Sequence, residues 1–203
     1  MRNWESQSWG SPSPSFVKRA ILLSRPTEAW IESGTYFGET TKILAKNSKN
    51  VITIEASADL FNQFIENLED SKITALWGNS SNLLEGAILS LLDREYSQIN
   101  FFLDAHNTGE EAFNSTEETP IIRELQIISQ CLEAIKSCSI FVDDFRAFSD
   151  LREVGKSNSI KYPTKNFLVE FANQHHLHWT VMHDIFIMSK VPSHEMEFNS
   201  HQV

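Results

Sequence analysis

The segment Trp30-Ile31-Glu32-Ser33-Gly34-Thr35-Tyr36-Phe37-Gly38-Glu39-Thr40-Thr41 decides how this chain is read. An apolar lead-in ends in Glu32. Two glycines follow, four positions apart, and a helix-compatible run begins at the second of them. Glycines at a strand-to-helix turn let backbone approach a ligand closely, and the start of the next helix presents free N–H groups at a positive dipole end. The segment therefore predicts a cradle for a nucleotide-like ligand.

Outward from this turn, strand and helix patterns alternate. Strand-like runs cover 29–33, 50–56, 72–79, 99–105 and 137–144. Helical periodicity covers 38–47, 56–70, 81–95, 119–135 and 164–176. A short helix is predicted over Phe16–Leu23, and two strands, 177–184 and 185–191, meet with almost no linker, as in an antiparallel hairpin. Such alternation predicts an α/β fold with a doubly wound, mostly parallel sheet. Right-handed crossovers bring every loop that follows a strand to one edge, and ligands bind there near the switch point of strand order. Residues 1–15, rich in Ser and Pro and carrying Trp4 and Trp9, read as an N-terminal arm. Residues 16–195 read as one domain, and 196–203 as a tail.

Composition narrows the partners. The formal net charge is −10, and the 17 Lys and Arg residues form no cluster denser than Lys42–Lys49. This argues against nucleic acid and for a small-molecule substrate. No apolar run approaches the ~18 residues of a membrane helix, and no secretory signal opens the chain, so a cytoplasmic protein is expected. Cys131 and Cys138 are placed two turns apart on one helix, too far for a disulfide, and read as reduced thiols. A homodimer is kept open as an assembly.

Polar residues recur where the predicted strands end. The first ends in Glu32, the second in Glu55, the third in Gly78-Asn79-Ser80, the fourth in Asp104-Ala105-His106 and the fifth in Asp143-Asp144. Glu55 lies 17 residues beyond Gly38, where a carboxylate can accept hydrogen bonds from ribose hydroxyls. Each residue has a structural alternative as a helix cap or turn former. A buried set of Asp104, Asp143 and Asp144 requires a cation, a proton or a ligand beside it. Arg146 is expected to pair with Asp143 or Asp144. The histidines at 175, 176, 178 and 183 read as a polar junction between a helix and a strand.

These motifs resemble the class I S-adenosylmethionine-dependent methyltransferase family. Glu-Ser-Gly-Thr-Tyr-Phe-Gly (32–38) resembles its first motif, in which an acid and glycines hold the methionine part of the cofactor. Ile-Thr-Ile-Glu-Ala-Ser (52–57) resembles the second, and Gly-Asn-Ser-Ser (78–81) a turn beside adenine. Phe-Phe-Leu-Asp-Ala-His (101–106), Thr-Pro-Ile-Ile-Arg-Glu-Leu (119–125) and Ile-Phe-Val-Asp-Asp-Phe-Arg (140–146) resemble a small bacterial methyltransferase-like group with LD[AG]H and [IV]DDxR motifs. The resemblance implies a Rossmann-like, seven-stranded methyltransferase sheet ending in an antiparallel hairpin. It implies S-adenosylmethionine held by Glu32, Gly34, Thr35, Gly38, Glu55, Asn79, Ser80 and Asp104. Two departures stand out: Tyr36 replaces the middle glycine of the first motif, and Asn79 replaces a frequent aspartate.

Methyl transfer to a hydroxyl requires near-attack geometry and removal of a proton. His106 is the expected base, with Asp104 orienting it. The alternative is a divalent cation, Mg²⁺ or Mn²⁺, held by Asp104, His106, Asp143 and Asp144. Two functions follow: an O-methyltransferase of a small hydroxylated acceptor, or a catalytically silent S-adenosylmethionine- or nucleotide-binding protein acting through a partner. A nicotinamide enzyme is a weaker third, since Gly-x-Gly-x-x-Gly is absent.

Overall fold

The computed structural model describes residues 15–105, 119–148 and 162–190, with side chains from Lys18 onward. The strand-like runs become strands because each is flanked by turn-forming residues and is short enough to cross a sheet once. These are β1 (Ala29–Ser33), β2 (Asn50–Glu55), β3 (Ile73–Trp77), β4 (Ile99–Leu103), β5 (Cys138–Val142), β6 (His178–Met182) and β7 (Ile185–Lys190). They form one sheet in the order β3-β2-β1-β4-β5-β7-β6. β1 to β5 are parallel, whereas β7 runs antiparallel between β5 and β6. The chain therefore reverses its winding between β1 and β4, and the crevice for a ligand lies above that point.

Two helical layers cover the sheet. α1 (Ser15–Leu23), α2 (Glu39–Ala45) and α3 (Ala58–Glu66) pack on one face through Leu22, Leu44 and Phe64 against Trp30, Phe102 and Phe141. α4 (Ser80–Asp93), α5 (Ile121–Cys131) and α6 (Lys165–Gln174) pack on the other through Leu84, Leu125 and Leu168 against Ile31, Phe101 and Ile140. β1, β2, β4 and β5 are buried along their whole length, as expected for parallel strands covered on both faces. Among the described residues, no helix is long and apolar enough to cross a membrane.

Some expectations shift. The predicted helix 56–70 shortens to Ala58–Glu66, because Ser57 caps its start, accepting from the Leu60 N–H, and Asn67 leaves helical geometry at its end. Cys131 and Cys138 do not share a helix. Cys131 ends α5, and Cys138 opens β5 as a buried thiol that burial pushes up to about 11. The arm with Trp4 and Trp9, the tail, and His106 with the loop after it lie outside the described residues.

Candidate functional site

β1 delivers Glu32 to the floor of the crevice with no exposure to solvent. Its Oε2 accepts from the Thr41 hydroxyl in the first turn of α2 (2.5 Å) and from the Thr53 hydroxyl on the neighbouring strand (2.7 Å). Thr53 in turn meets the hydroxyl of Thr35 at 2.6 Å. Glu32 Oε1 has no hydrogen-bond partner. Burial raises this carboxyl to about 7, outweighing the two threonine hydrogen bonds that oppose the shift.

The turn above Glu32 is shaped by the chain itself. Gly34 has φ +88°, and a Cβ there would lie 2.7 Å from the backbone oxygen of Asp104. Gly38, with φ +72°, faces the ring of Phe64, which a Cβ would meet at 2.1 Å. Both glycines are thus required by close packing within the protein, a demand separate from the ligand approach expected of them. Tyr36, at the place of the missing middle glycine, keeps a left-handed backbone at φ +50°. That conformation is unfavourable for a bulky residue by about 1–2 kcal/mol. Its N–H donates to Glu55 Oε2 at 2.9 Å, which ties the turn to the end of β2.

Glu55 is correspondingly fixed. Its other oxygen, Oε1, accepts from the Ser57 N–H at 2.9 Å. Two backbone donors orient the carboxylate, and each oxygen keeps a lone pair for a further donor. Asn79 uses its side-chain oxygen to cap α4 through the Ser81 N–H at 2.8 Å, leaving its NH₂ group for other contacts. Ser80 is buried and turned inward, toward α5.

At the ends of β4 and β5 the structure supplies a cation from its own chain. Lys18 of α1 donates to Asp143 and lies 3.8 Å from Asp104, with its ammonium over the ring of Phe102. Although burial opposes it, the attraction of Asp143 and Asp104 leaves the Lys18 ammonium above its usual range. Asp144 turns away to pair with Arg146 at 3.1 Å, as the sequence allowed, and Arg146 also pairs with Asp184 from the β6–β7 turn. Among the described residues no group of three His, Cys, Asp or Glu could hold a metal ion. The divalent-cation shell expected of Asp104, His106, Asp143 and Asp144 includes His106, which lies outside the described residues; of its acids, Asp104 and Asp143 are paired with Lys18 and Asp144 with Arg146. Lys18→Met is expected to destabilise the fold by about 3 kcal/mol, because Asp143 is left buried and unpaired. Urea unfolding checks this, and Lys18→Met with Asp143→Asn should recover part of the loss.

One buried acid was missed from sequence. Glu124 of α5 is 1% exposed, and neither carboxyl oxygen has a hydrogen-bond partner. Burial raises it to about 7; the hydroxyls of Ser80 and Ser33 oppose the shift without closing a well-formed bond, and Asp104 adds to it. A signal existed: Ile121, Leu125 and Ile128 form the apolar stripe of α5, and Glu124 sits on that stripe. Glu32 and Glu124 therefore flank the switch point from opposite faces of the sheet.

The layout of sheet and crevice has counterparts among solved structures. A candidate caffeoyl-CoA O-methyltransferase from Staphylococcus aureus aligns with TM-score 0.59 at 16% identity, over 86% of this chain and 80% of that one. The fold is that of the Rossmann-like methyltransferases. An O-methyltransferase from Bacillus cereus, solved in complex with SAH, aligns at TM-score 0.51 and 17% identity over 87% of this chain and 80% of that one. The O-methyltransferase TomG from Streptomyces achromogenes, solved with SAM, aligns at 0.50 and 16% over 86% and 78%. No protein-family model matches the chain, and no curated protein matches it in sequence.

Proposed function

We propose that this chain binds S-adenosylmethionine in the crevice above β1 and β2 and methylates an oxygen of a small hydroxylated acceptor. The observation that carries the reading is Glu55, a carboxylate fixed by the N–H groups of Tyr36 and Ser57 at the end of β2, where the two ribose hydroxyls need an acceptor. Glu32 fits the same ligand, since its orphaned Oε1 is a buried acceptor awaiting a donor such as the amino group of the methionine part. The neighbouring structures determined with SAH and SAM support this cofactor class.

The cofactor supplies a methyl group activated by its sulfonium. The protein's own work is to hold the acceptor in line and take up the proton released from its hydroxyl. His106, which follows Asp104 and Ala105 beyond β4, is the proposed base. Asp104 and Asp143, neutralised by Lys18, hold the edge on which the acceptor rests.

Calorimetric titration of S-adenosylmethionine and its demethylated product tests the reading. Binding of both is expected without added Mg²⁺, and Glu55→Ala should weaken it tenfold or more, in line with ~1.5–3 kcal/mol for hydrogen bonds to a charged group. Absence of binding at sub-millimolar ligand rejects the assignment. Binding that persists unchanged in Glu55→Ala rejects the ribose role. Cofactor binding with no methyl transfer to any hydroxylated acceptor would instead identify a silent binding protein.

A further inference from the structure

We infer that Lys18 is the resident cation of the acceptor edge: its ammonium takes the place on Asp104 and Asp143 for which the sequence alone suggests a divalent metal, so the site works without one. The inference rests on the proposed methyltransferase function and deepens it, by naming the charge that faces the acceptor oxygen.

Lys18 comes from α1, and Asp104 and Asp143 stand where β4 and β5 end. The side chain of Asp143 is 6% exposed and that of Lys18 19%, so salt and water screen the pair little. The ammonium donates to Asp143 Oδ2, lies 3.8 Å from Asp104 Oδ2 and stands 4.7 Å from the centre of the Phe102 ring. Two carboxylates and an aromatic face thus converge on one positive charge. A dication does not fit beside it. Mg²⁺ binds a carboxylate oxygen at about 2.1 Å, and a hydrogen-bonded ammonium stands about 2.9 Å from its acceptor, so two cations on the same oxygen would lie within about 5 Å of each other. In a half-buried site that repulsion is strong. Asp144, the next acid along β5, is itself matched by Arg146 at 3.1 Å, so each acid at these two strand ends already faces a cation of the chain.

Lys18 also has a donor to offer. An ammonium carries three N–H groups, and among the described residues Asp143 accepts the one hydrogen bond that Lys18 makes. A remaining N–H can face the acceptor oxygen and favour the negative charge that gathers there as its proton leaves for the base, which is the work a metal ion performs where one is bound.

The test titrates Mn²⁺ into the full chain without cofactor or acceptor, reading binding from the lost paramagnetic resonance signal of the free ion. The wild-type chain is expected to show no Asp143-dependent binding up to about 1 mM. Lys18→Met, which keeps the length but not the charge, should bind Mn²⁺ at least about tenfold more tightly than wild type and gain stability from it, whereas Lys18→Arg should stay as weak as wild type. Wild-type binding that Asp143→Asn removes overturns the inference, whether or not Lys18→Met folds. A folded Lys18→Met that binds no better than wild type overturns it as well, as does a Lys18→Arg that binds as tightly as Lys18→Met. The two readings separate. Asp143-dependent binding of Mn²⁺ by a wild-type chain that also binds S-adenosylmethionine rejects the resident cation alone. Exclusion of Mn²⁺ by a chain that fails to bind S-adenosylmethionine rejects the methyltransferase reading alone.

Discussion

Gly34→Ala is expected to lower the free energy of unfolding by about 3 kcal/mol or more and to abolish cofactor binding. Two causes act together. The backbone at Gly34 is left-handed, which costs an alanine about 1–2 kcal/mol. The added Cβ would also lie 2.7 Å from the Asp104 oxygen and 2.9 Å from its carbonyl carbon. Backbone cannot swing aside as a long side chain can. The Gly34 N–H is bonded to Ile54, and the Asp104 N–H to Ser33, so relief of the clash would part β1 from β4 at the switch point. That parting would also displace Tyr36, whose N–H orients Glu55. Gly86→Ala provides the opposite control. Gly86 sits in α4 with nothing within 4 Å of a new Cβ, so alanine there should stabilise by about 0.5–1 kcal/mol. Urea unfolding of both variants, with S-adenosylmethionine titration of Gly34→Ala, decides the matter. A Gly34→Ala protein as stable as wild type would show that the close approach of β1 and β4 is not needed.

Between about pH 4.5 and pH 7 the protein should lose stability through Glu32 and Glu124, and glutamine at either position should flatten the loss. Both carboxyls are fully buried, and their folded values, about 7, stand above the ordinary 4.5. For an acid raised in this way, the folded state holds a proton that the unfolded chain releases. The contribution is therefore fully present below about 4.5, shrinks as pH climbs, and is gone above about 7. A rise of this size corresponds to roughly 3 kcal/mol for each residue. Lys18 titrates above its ordinary 10.5 and does not contribute in this window. Denaturant unfolding across the range measures the slope. In Glu124→Gln the slope should fall by about half. An unchanged slope would show that Glu124 ionises in the folded state as easily as in the unfolded one. A ligand that supplies a donor to Glu32 should offset part of the loss at higher pH, which links this measurement to the cofactor titration.

Much of this was legible from residues that act locally. β1, β2, β4 and β5 were placed within a residue or two because their apolar runs end at turn formers, and the closing hairpin because two strand patterns met without a linker. Glu32, Glu55 and Asn79 do lie where the sequence put them, at the ends of β1, β2 and β3, where Asn79 spends its oxygen on capping α4. Glu124 was overlooked because an acid among Arg123 and Glu118 reads as surface unless its place on the apolar stripe is noticed. Cys138 was placed on the strand 137–144 by its pattern, and only its pairing with Cys131 on one helix fails, because α5 ends at Cys131.

Lys18 marks the limit of that reading. Nothing near residue 18 announces a partner 125 positions away in Asp143. The order of elements, the parallel sheet, the acidic strand ends and the glycine turn follow from patterns a few residues long, because hydrogen bonding and side-chain periodicity are local. Which acids are neutralised, by Lys18 or Arg146, and which stay orphaned, as Glu32 Oε1 and Glu124 do, depends on distances between elements remote in the chain. Only the packing of α1 and α5 against opposite faces of the sheet sets those distances. The tertiary structure thus sets Lys18 beside Asp104 and Asp143 and Arg146 beside Asp144, and it buries Glu124, an acid that sequence alone passes over.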